Sequence, residues 1–429
     1  MPLLSSRRAR AALGGAVALA IALTGCSASE PEFTYTPPAQ VDGKLPDDVT
    51  AQLQSAVDKA MVASGSTGAI VGVWVPWSGQ WVTGVGTQSG GDSAKVTAEM
   101  SFRVADVTRM MTCDVLYGMA DAGEIELDAP VPDYVSGVSD MDDITLLDLC
   151  NGTSGIASSE GAAKPYWMNT PEREWAPLRL ASLGLGAERG PAHTTYKDSD
   201  AGYLLLGLAL ERATGKTASE LIAEYVTTPL GLASTSLPAP TASAPKPGPA
   251  LQGGYLPTVE GGGYDCKAPI DITKSSSSIG FTDSGAVSTI NDLGRYVQAT
   301  ARQALRKEGA EPARFGSPLP TSDKAPSWYQ ATGGALMVGS LIGQQGWVPG
   351  YATAAYSDPA TGFTVAVTLN GSTSGSSTAA YLSWQLAAIA SKSPAAEGQT
   401  APEFGLPFTA EQYGDAIAKA AICAPPAAE

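Results

Sequence analysis

The sequence predicts an α+β domain in which an all-helical half is inserted between an N-terminal hairpin and a C-terminal sheet. Three observations carry that reading. Residues 69–75 and 81–85 are apolar runs flanking Pro76-Trp77-Ser78-Gly79, a turn signal, so they pair as a β-hairpin. Residues 107–122 are apolar almost all round, as in a helix enclosed by a large domain. Residues 333–341, 352–357 and 364–369 are strand-like runs separated by Gly and Asp-Pro turns.

The remaining elements fall around these in order. Helical spacing over 48–63 precedes the hairpin. Further helices are predicted over 145–150, 201–214, 218–225 and 291–305, and one over 378–391 follows the last strand. The stretch 238–249 is rich in Pro, Ala and Ser and reads as an exposed connection. A small helix over 410–421 starts at Thr409, with Gln412 in the capping-box position. With 429 residues, 44% of them hydrophobic, the chain can bury a sizeable core.

Charge and composition exclude some functions. Lys plus Arg number 26 and Asp plus Glu 42, a formal net charge of −16. A broad nucleic-acid surface needs clustered cations and is not expected. His193 is the single histidine, which excludes a His-rich metal site. No Cys-x-x-Cys spacing occurs, so no structural zinc is expected, and neither a metal nor another cofactor is implied.

The N-terminus reads as an export address. Arg7, Arg8 and Arg10 form a positive region, residues 11–23 are apolar, and Leu23-Thr24-Gly25-Cys26 looks like a bacterial lipobox. Cleavage before Cys26 would leave its thiol to carry a diacylglycerol, placing the protein on the extracytoplasmic face of the cell membrane. The alternative is an ordinary signal peptide with an incidental cysteine. Arg7-Arg8 fits twin-arginine export, whereas Arg10 stands where that signal prefers an apolar residue, so the route stays open. Removing residues 1–25 deletes three Arg and takes the charge from −16 to −19. The organisation expected is a signal peptide over 1–25, a polar, proline-containing tether over 26–47, a domain over 48–392 and a tail over 393–429. Export favours disulfides, and Cys113, Cys150, Cys266 and Cys423 allow three pairings.

A run of motifs gives the domain a likeness. They begin with Phe102-Arg-Val-Ala-Asp-Val-Thr-Arg109, Asp121-Ala-Gly-Glu-Ile-Glu-Leu-Asp-Ala-Pro130 and Tyr134. They continue through Ile144-Thr-Leu-Leu-Asp-Leu149, Thr153-Ser-Gly155, Gly202-Tyr-Leu-Leu-Leu-Gly207, Glu211, Thr214-Gly-Lys216 and Pro229-Leu-Gly-Leu232. They end with Gly285-Ala-Val-Ser-Thr289, Asp292-Leu293, Pro349-Gly-Tyr351 and Asp358-Pro-Ala-Thr-Gly362. In order and spacing these resemble the β-lactamase-related serine hydrolases, which include class C β-lactamases, D-alanyl-D-alanine carboxypeptidases and penicillin-binding-protein-like esterases. The resemblance spans roughly residues 48–392. It implies a transpeptidase-like fold, an antiparallel sheet flanked by helices with an all-helical half. It also implies that Cys113 and Cys150 lie near one another, which leaves Cys266 for Cys423.

The family's chemistry does not carry over. Its nucleophile lies in Ser-x-x-Lys at the start of a buried helix, where a Lys of lowered pKa takes the hydroxyl proton. The matching positions here are Asp106 and Arg109. A carboxylate attacking an amide would form a high-energy anhydride, and Arg keeps its proton at any relevant pH. The second motif, Tyr-x-Asn, falls on Asp198 and Asp200, with Tyr196 two residues early unless the register shifts locally. The third, Lys-Thr-Gly, falls on Gln344-Gln345-Gly346, where only the glycine remains. No replacement is evident. The one Ser-x-x-Lys, Ser243 to Lys246, lies in the proline-rich connection, and no Gly-x-Ser-x-Gly occurs.

Each candidate has a structural alternative. Asp106 and Arg109 are either an i,i+3 ion pair or a ligand contact. Asp198 and Asp200 are solvated loop acids, or an i,i+2 pair able to face one cation. Trp347 and Tyr351 are cleft-lining aromatics or packing. His193 reads as a loop residue, and Met110, Met111, Leu116 and Met119 as core. With Asp106, Asp198 and Asp200 offset by Arg109 alone, the cleft should be acidic and disfavour a substrate carboxylate. The resulting expectation is a catalytically degenerate, membrane-anchored protein that binds a cell-wall component or an envelope partner. The alternatives are an active hydrolase with another nucleophile and a structural envelope protein.

Overall fold

The computed structural model describes residues 35–88 and 94–424. The export signal and Cys26 lie outside the described residues. Helix α1, Asp47–Ser64, starts on Pro46 with Asp47 and Asp48 in its first turn, where carboxylates complement the helix dipole. Gly65 ends it in the left-handed region, and the hairpin β1 (Gly68–Val75) and β2 (Gly79–Gly86) follows.

Helix α2, Val107–Ala122, is enclosed on almost every side, as its apolar sequence requires. The helical half then adds α3 (Leu146–Asn151), α4 (Glu160–Asn169), α5 (Pro177–Leu185), α6 (Asp200–Thr214) and α7 (Ala218–Ile222). Thr145 caps α3 and Thr217 caps α7 in reciprocal capping boxes with Asp148 and Glu220. Helix α8, Ile290–Ala301, returns the chain to the sheet.

The sheet is completed by β3 (Leu319–Pro320), β4 (Tyr329–Thr332), β5 (Ala335–Val338), β6 (Leu341–Val348), β7 (Tyr351–Ser357) and β8 (Thr364–Leu369). The eight strands run in the order β2-β1-β8-β7-β6-β5-β4-β3, all antiparallel. The hairpin thus joins the C-terminal strands through Ala69 opposite Leu369 and Val73 opposite Val365. Helices α9 (Ser377–Ala390) and α10 (Ala410–Lys419) follow. Thr409 accepts from the Gln412 backbone to start α10.

Strand alternation sorts the core into two layers. Ala69, Val71 and Val73 pack with Leu53 and Val57 of α1, Trp384 of α9 and Tyr413 of α10. Ile70, Ala355 and Ala366 face the other way, toward α2, α8 and the helical half. Both layers are as the α+β reading requires.

Two expected boundaries need correction. Residues 35–46 are not a free tether. Tyr35 and Leu45 are buried, Val41 N–H donates to Pro76, and Lys44 pairs with Gln80 beside the hairpin. Apolar side chains at those two positions anchor the segment along the domain. The 393–424 stretch is likewise part of the domain, because Phe408, Tyr413 and Ile417 complete one core layer. Strand β6 extends well beyond the predicted 333–341 run, which itself splits into β5 and the start of β6.

Two disulfides are formed. Cys113 of α2 joins Cys150 of α3 with Cα atoms 5.7 Å apart. Cys266 joins Cys423 across 157 residues at 6.0 Å, tying the end of the described chain to a surface loop. Replacing both Cys266 and Cys423 by Ser should lower stability by roughly 2–4 kcal/mol through the freed unfolded state. Denaturant unfolding under non-reducing conditions checks this, and an unchanged midpoint and slope would contradict it.

Candidate functional site

The start of α2 faces β6 across the boundary between the helical half and the sheet. The approach is close enough that Gly346 is required. A Cβ built there would lie 2.1 Å from Asp106 Cγ. The lone glycine left from the third motif is therefore a contact for the residue that occupies the nucleophile position. Ala105, immediately before Asp106, holds a positive φ of 50°, a strained conformation for a residue with a Cβ.

Arg109 is the centre of the site. Its side chain is 5% exposed. Its Nη2 lies 3.3 Å from Asp106 Oδ2, one helical turn earlier. Its Nε donates to Asp283 Oδ1 at 2.7 Å, and its Nη1 donates to Asp198 Oδ1. The Tyr203 ring of α6 packs against the guanidinium, 4.9 Å from its centroid. Tyr203 OH in turn donates to Cys150 O, beside the disulfide. Among the described residues, no serine, threonine or cysteine side chain hydrogen-bonds to Asp106 or Arg109.

Burial and charge set the proton affinities. Burial works against the Arg109 charge, but Asp106, Asp198 and Asp283 outweigh it and hold the guanidinium protonated well above its usual range. Burial lifts the Asp106 carboxyl well above the usual carboxylate range, with Arg109 opposing and Asp283, Asp198 and Glu160 reinforcing the rise. Asp283 is pushed up to about 6, again chiefly by burial. The cluster can hold and share protons, and its cation cannot act as a base; the hydroxyls that touch it, Ser284 on Asp283 and Tyr196 on Asp198, meet carboxylates and not Arg109.

The remaining candidates are distributed as follows. Asp200 does not join Asp198. Its Oδ1 accepts from Ser158 Oγ at 2.7 Å and from the Ser159 backbone at 2.6 Å, so the two acids do not face one ion. The third carboxylate on Arg109 is Asp283, which the motif reading missed. Its signal was available: it is the lone charged residue between Lys274 and Asp292, in a stretch that folds inside. Tyr196 OH comes to 3.5 Å from Asp198 Oδ1, so this tyrosine reaches the cluster despite its early register. Gln344 is buried and donates to Gly334 O, acting as packing within the sheet. Tyr351 is fully buried, donates to Leu251 O at 2.6 Å and lines no cleft. His193 is half exposed, and its Nδ1 pairs with Asp148 Oδ1 at 3.1 Å, outside the Arg109 cluster. Trp347 is the cleft aromatic. Its Nε1 donates to Glu160 Oε1 at 3.0 Å, linking β6 to α4. Burial lifts Glu160, and the nearby Asp200 and Asp198 add to the rise.

Comparison with known proteins places this arrangement. Residues 53–388 match the Beta-lactamase family. The chain belongs to the Beta-lactamase family. It is 27% identical over 188 residues to the D-alanyl-D-alanine-carboxypeptidase/endopeptidase AmpH of Escherichia coli, covering 42% of this chain and 47% of that protein. It is 29% identical over 174 residues to the esterase/beta-lactamase LipL of Mycobacterium tuberculosis, covering 40% of this chain and 35% of that one. The chain spans about half the length or less of these curated relatives. Among solved structures, a D-stereospecific amidohydrolase from Streptomyces superposes with a TM-score of 0.65 at 24% identity, over 76% of this chain and 95% of that one. The penicillin-binding protein homologue of Pyrococcus abyssi gives 0.63 at 18% identity, over 80% and 76%. These two likenesses establish the shared fold.

The raised Asp283 carboxyl makes a pH prediction. Its folded pKa of about 6 exceeds the unfolded value of 3.8, so its stabilisation is full below 3.8 and is lost as pH rises through 6. The stability of the wild type relative to Asp283→Asn should therefore fall between pH 4 and pH 7, by no more than about 3 kcal/mol. Paired denaturant titrations at the two pH values measure this, and a constant or rising difference would contradict it.

Proposed function

We propose that this protein is a lipid-anchored envelope protein that keeps the Beta-lactamase-family fold as a binding scaffold and does not hydrolyse what it binds. One observation carries the reading. The place where the resemblance puts a serine and its lysine base holds Asp106 and Arg109, and Arg109 is engaged by three carboxylates. Acylation needs a nucleophile that can lose a proton to a neighbour, and an arginine saturated with carboxylates offers no such acceptor. The AmpH relative acts, by its name, on D-alanyl-D-alanine, which supports a cell-wall component as the ligand class. An envelope protein partner is the other candidate.

The rival reading, an active hydrolase, has one specific support. Ser158 Oγ donates to Asp200 Oδ1 at 2.7 Å, a hydroxyl on a carboxylate near the cluster. Fluorophosphonate and penicillin-type probes separate the two readings. The expected result is no stoichiometric label on any serine. Labelling that disappears in Ser158→Ala would establish the hydrolase instead.

Anchoring is proposed to run through a diacylglycerol thioether on Cys26, since Leu23-Thr24-Gly25-Cys26 follows an apolar, positively led segment. Among the described residues no helix is long and apolar enough to cross a membrane. Cys26→Ala should abolish metabolic fatty-acid labelling and release or mislocalise the protein. Unchanged labelling of that variant would rule out the lipobox.

A further inference from the structure

A cavity of about 390 Å³ is walled in part by Trp347, whose indole N–H bonds Glu160. Its walls bring together three aromatic rings, Trp347 from β6 with Tyr255 and Tyr264 from the 254–268 segment, and the flank of α4 at Lys164 and Met168. Neither Tyr255 nor Tyr264 has a hydroxyl hydrogen bond among the described residues. Tyr264 sits in a small hairpin in which Thr258 pairs with Tyr264 and Val259 N–H donates to Gly263 O. The Cys266–Cys423 bridge fixes the foot of that hairpin.

The wall already holds a cation. Lys164 Nζ lies over the Trp347 ring, 4.4 Å from its centroid, and is partnered by no carboxylate within ion-pair distance among the described residues. The same ring donates its N–H to Glu160, one turn earlier on the same face of α4. A carboxylate on the indole N–H raises the electron density of the ring face and so strengthens its attraction for positive charge. Behind Glu160 stand Asp198, Asp200, Asp106 and Asp283, offset by Arg109. Exposed apolar groups adjoin the wall residues: Tyr264 itself, Val259 next to Thr258, and Ile270 paired with Tyr255.

We infer that this cavity binds an organic ammonium group on an apolar stem, and that Lys164 occupies the same ring face until the ligand displaces it. The inference rests on the binding reading of the cleft and adds the ligand class. A ligand carboxylate entering here would meet Glu160, whereas an ammonium meets an aromatic face and a carboxylate edge. Rings recognise methylated ammonium without needing a hydrogen-bond acceptor, which suits walls whose polar groups are mostly hydroxyls.

The test uses the full chain, choline as the probe and neohexyl alcohol as its uncharged isostere, with calorimetry and tryptophan fluorescence as readouts. Choline is expected to bind, with the isostere at least about tenfold weaker. Lys164→Met should tighten choline by roughly three- to tenfold, because the competing internal cation is gone. Glu160→Gln should weaken it. Trp347→Leu should abolish binding while Trp347→Phe, which keeps a ring, retains part of it, and the thermal midpoint of each variant reports folding. Equal binding of choline and the isostere, no choline binding, or unchanged or weaker binding in Lys164→Met would overturn the inference. Serine-probe labelling alongside intact choline binding would retire the non-hydrolytic reading and leave the pocket. Absent choline binding in an unlabelled protein would retire the pocket alone.

Discussion

The guanidinium of Arg109 is the constraint on which the site depends. Removing this charge from water is costly, and three carboxylates from three segments offset that cost. Asp106 comes from the start of α2, Asp198 from the loop before α6, and Asp283 from the turn at Phe281–Ser284. Loss of the arginine would strand two enclosed carboxylates, and loss of either of those would weaken the argument for burying the charge. The cluster therefore fixes α2, the loop before α6 and the 281–284 turn relative to one another. Gly346 and Tyr203 follow from it: one lets β6 approach Asp106, and the other closes the face of the guanidinium.

The chemistry of arginine explains why this is more than one charged group exchanged for another. A lysine in such a place can lose its proton when desolvated and serve as a base, whereas a guanidinium stays protonated through the same burial. Its planar fork also uses separate nitrogens on separate partners, so Nε, Nη1 and Nη2 each hold a different aspartate. The variable protons of the cluster then belong to the acids. Asp106 and Asp283 bind them more tightly than free carboxylates do, chiefly because burial disfavours their charged forms, with neighbouring carboxylates adding to the rise. Such a cluster changes its charge with pH through its acids, not through Arg109.

Much of the fold was legible because its segments obey simple periodicities. The enclosed helix over 107–122, the hairpin around Pro76-Trp77-Ser78-Gly79 and the strand over 364–369 stand where their patterns place them. Central strand β6 was largely missed because Gly343-Gln344-Gln345-Gly346 breaks its apolar run. Those glutamines are tolerated inside because Gln344 bonds Gly334 O while Gln345 is bonded by Tyr356 and reaches Tyr329. Helix α4 escaped notice because Pro165 sits inside it and few of its residues are buried. At the site, Asp106 and Arg109 could be paired from their i,i+3 spacing. Asp283 could not, as it lies 174 residues from Arg109 and only the tertiary fold brings them together. The same limit made Asp198 and Asp200 look like one unit, when these two residues, on either side of the Ser199 cap, reach different neighbours.

The halves of the domain are joined at two levels, and the two joints differ in kind. At the base, the enclosed Arg109 guanidinium is held by two largely buried carboxylates, Asp106 and Asp283, and by the solvent-exposed Asp198. At the mouth, the joint is a half-buried indole. Trp347 of the sheet is gripped by one face of α4, its N–H by Glu160 and its ring by Lys164, with Trp167 at 6.5 Å between ring centroids. A cation over a partly exposed ring is worth about 0.5–1 kcal/mol, whereas leaving a buried charge without its partner costs about 3–5 kcal/mol, so contacts at the mouth are lost far more cheaply than those at the base. The weaker contacts at the mouth, Lys164 on the ring and Glu160 on the indole N–H, are therefore the ones that exchange at least cost, while the ionic contacts of Arg109 hold α2 against the 281–284 turn.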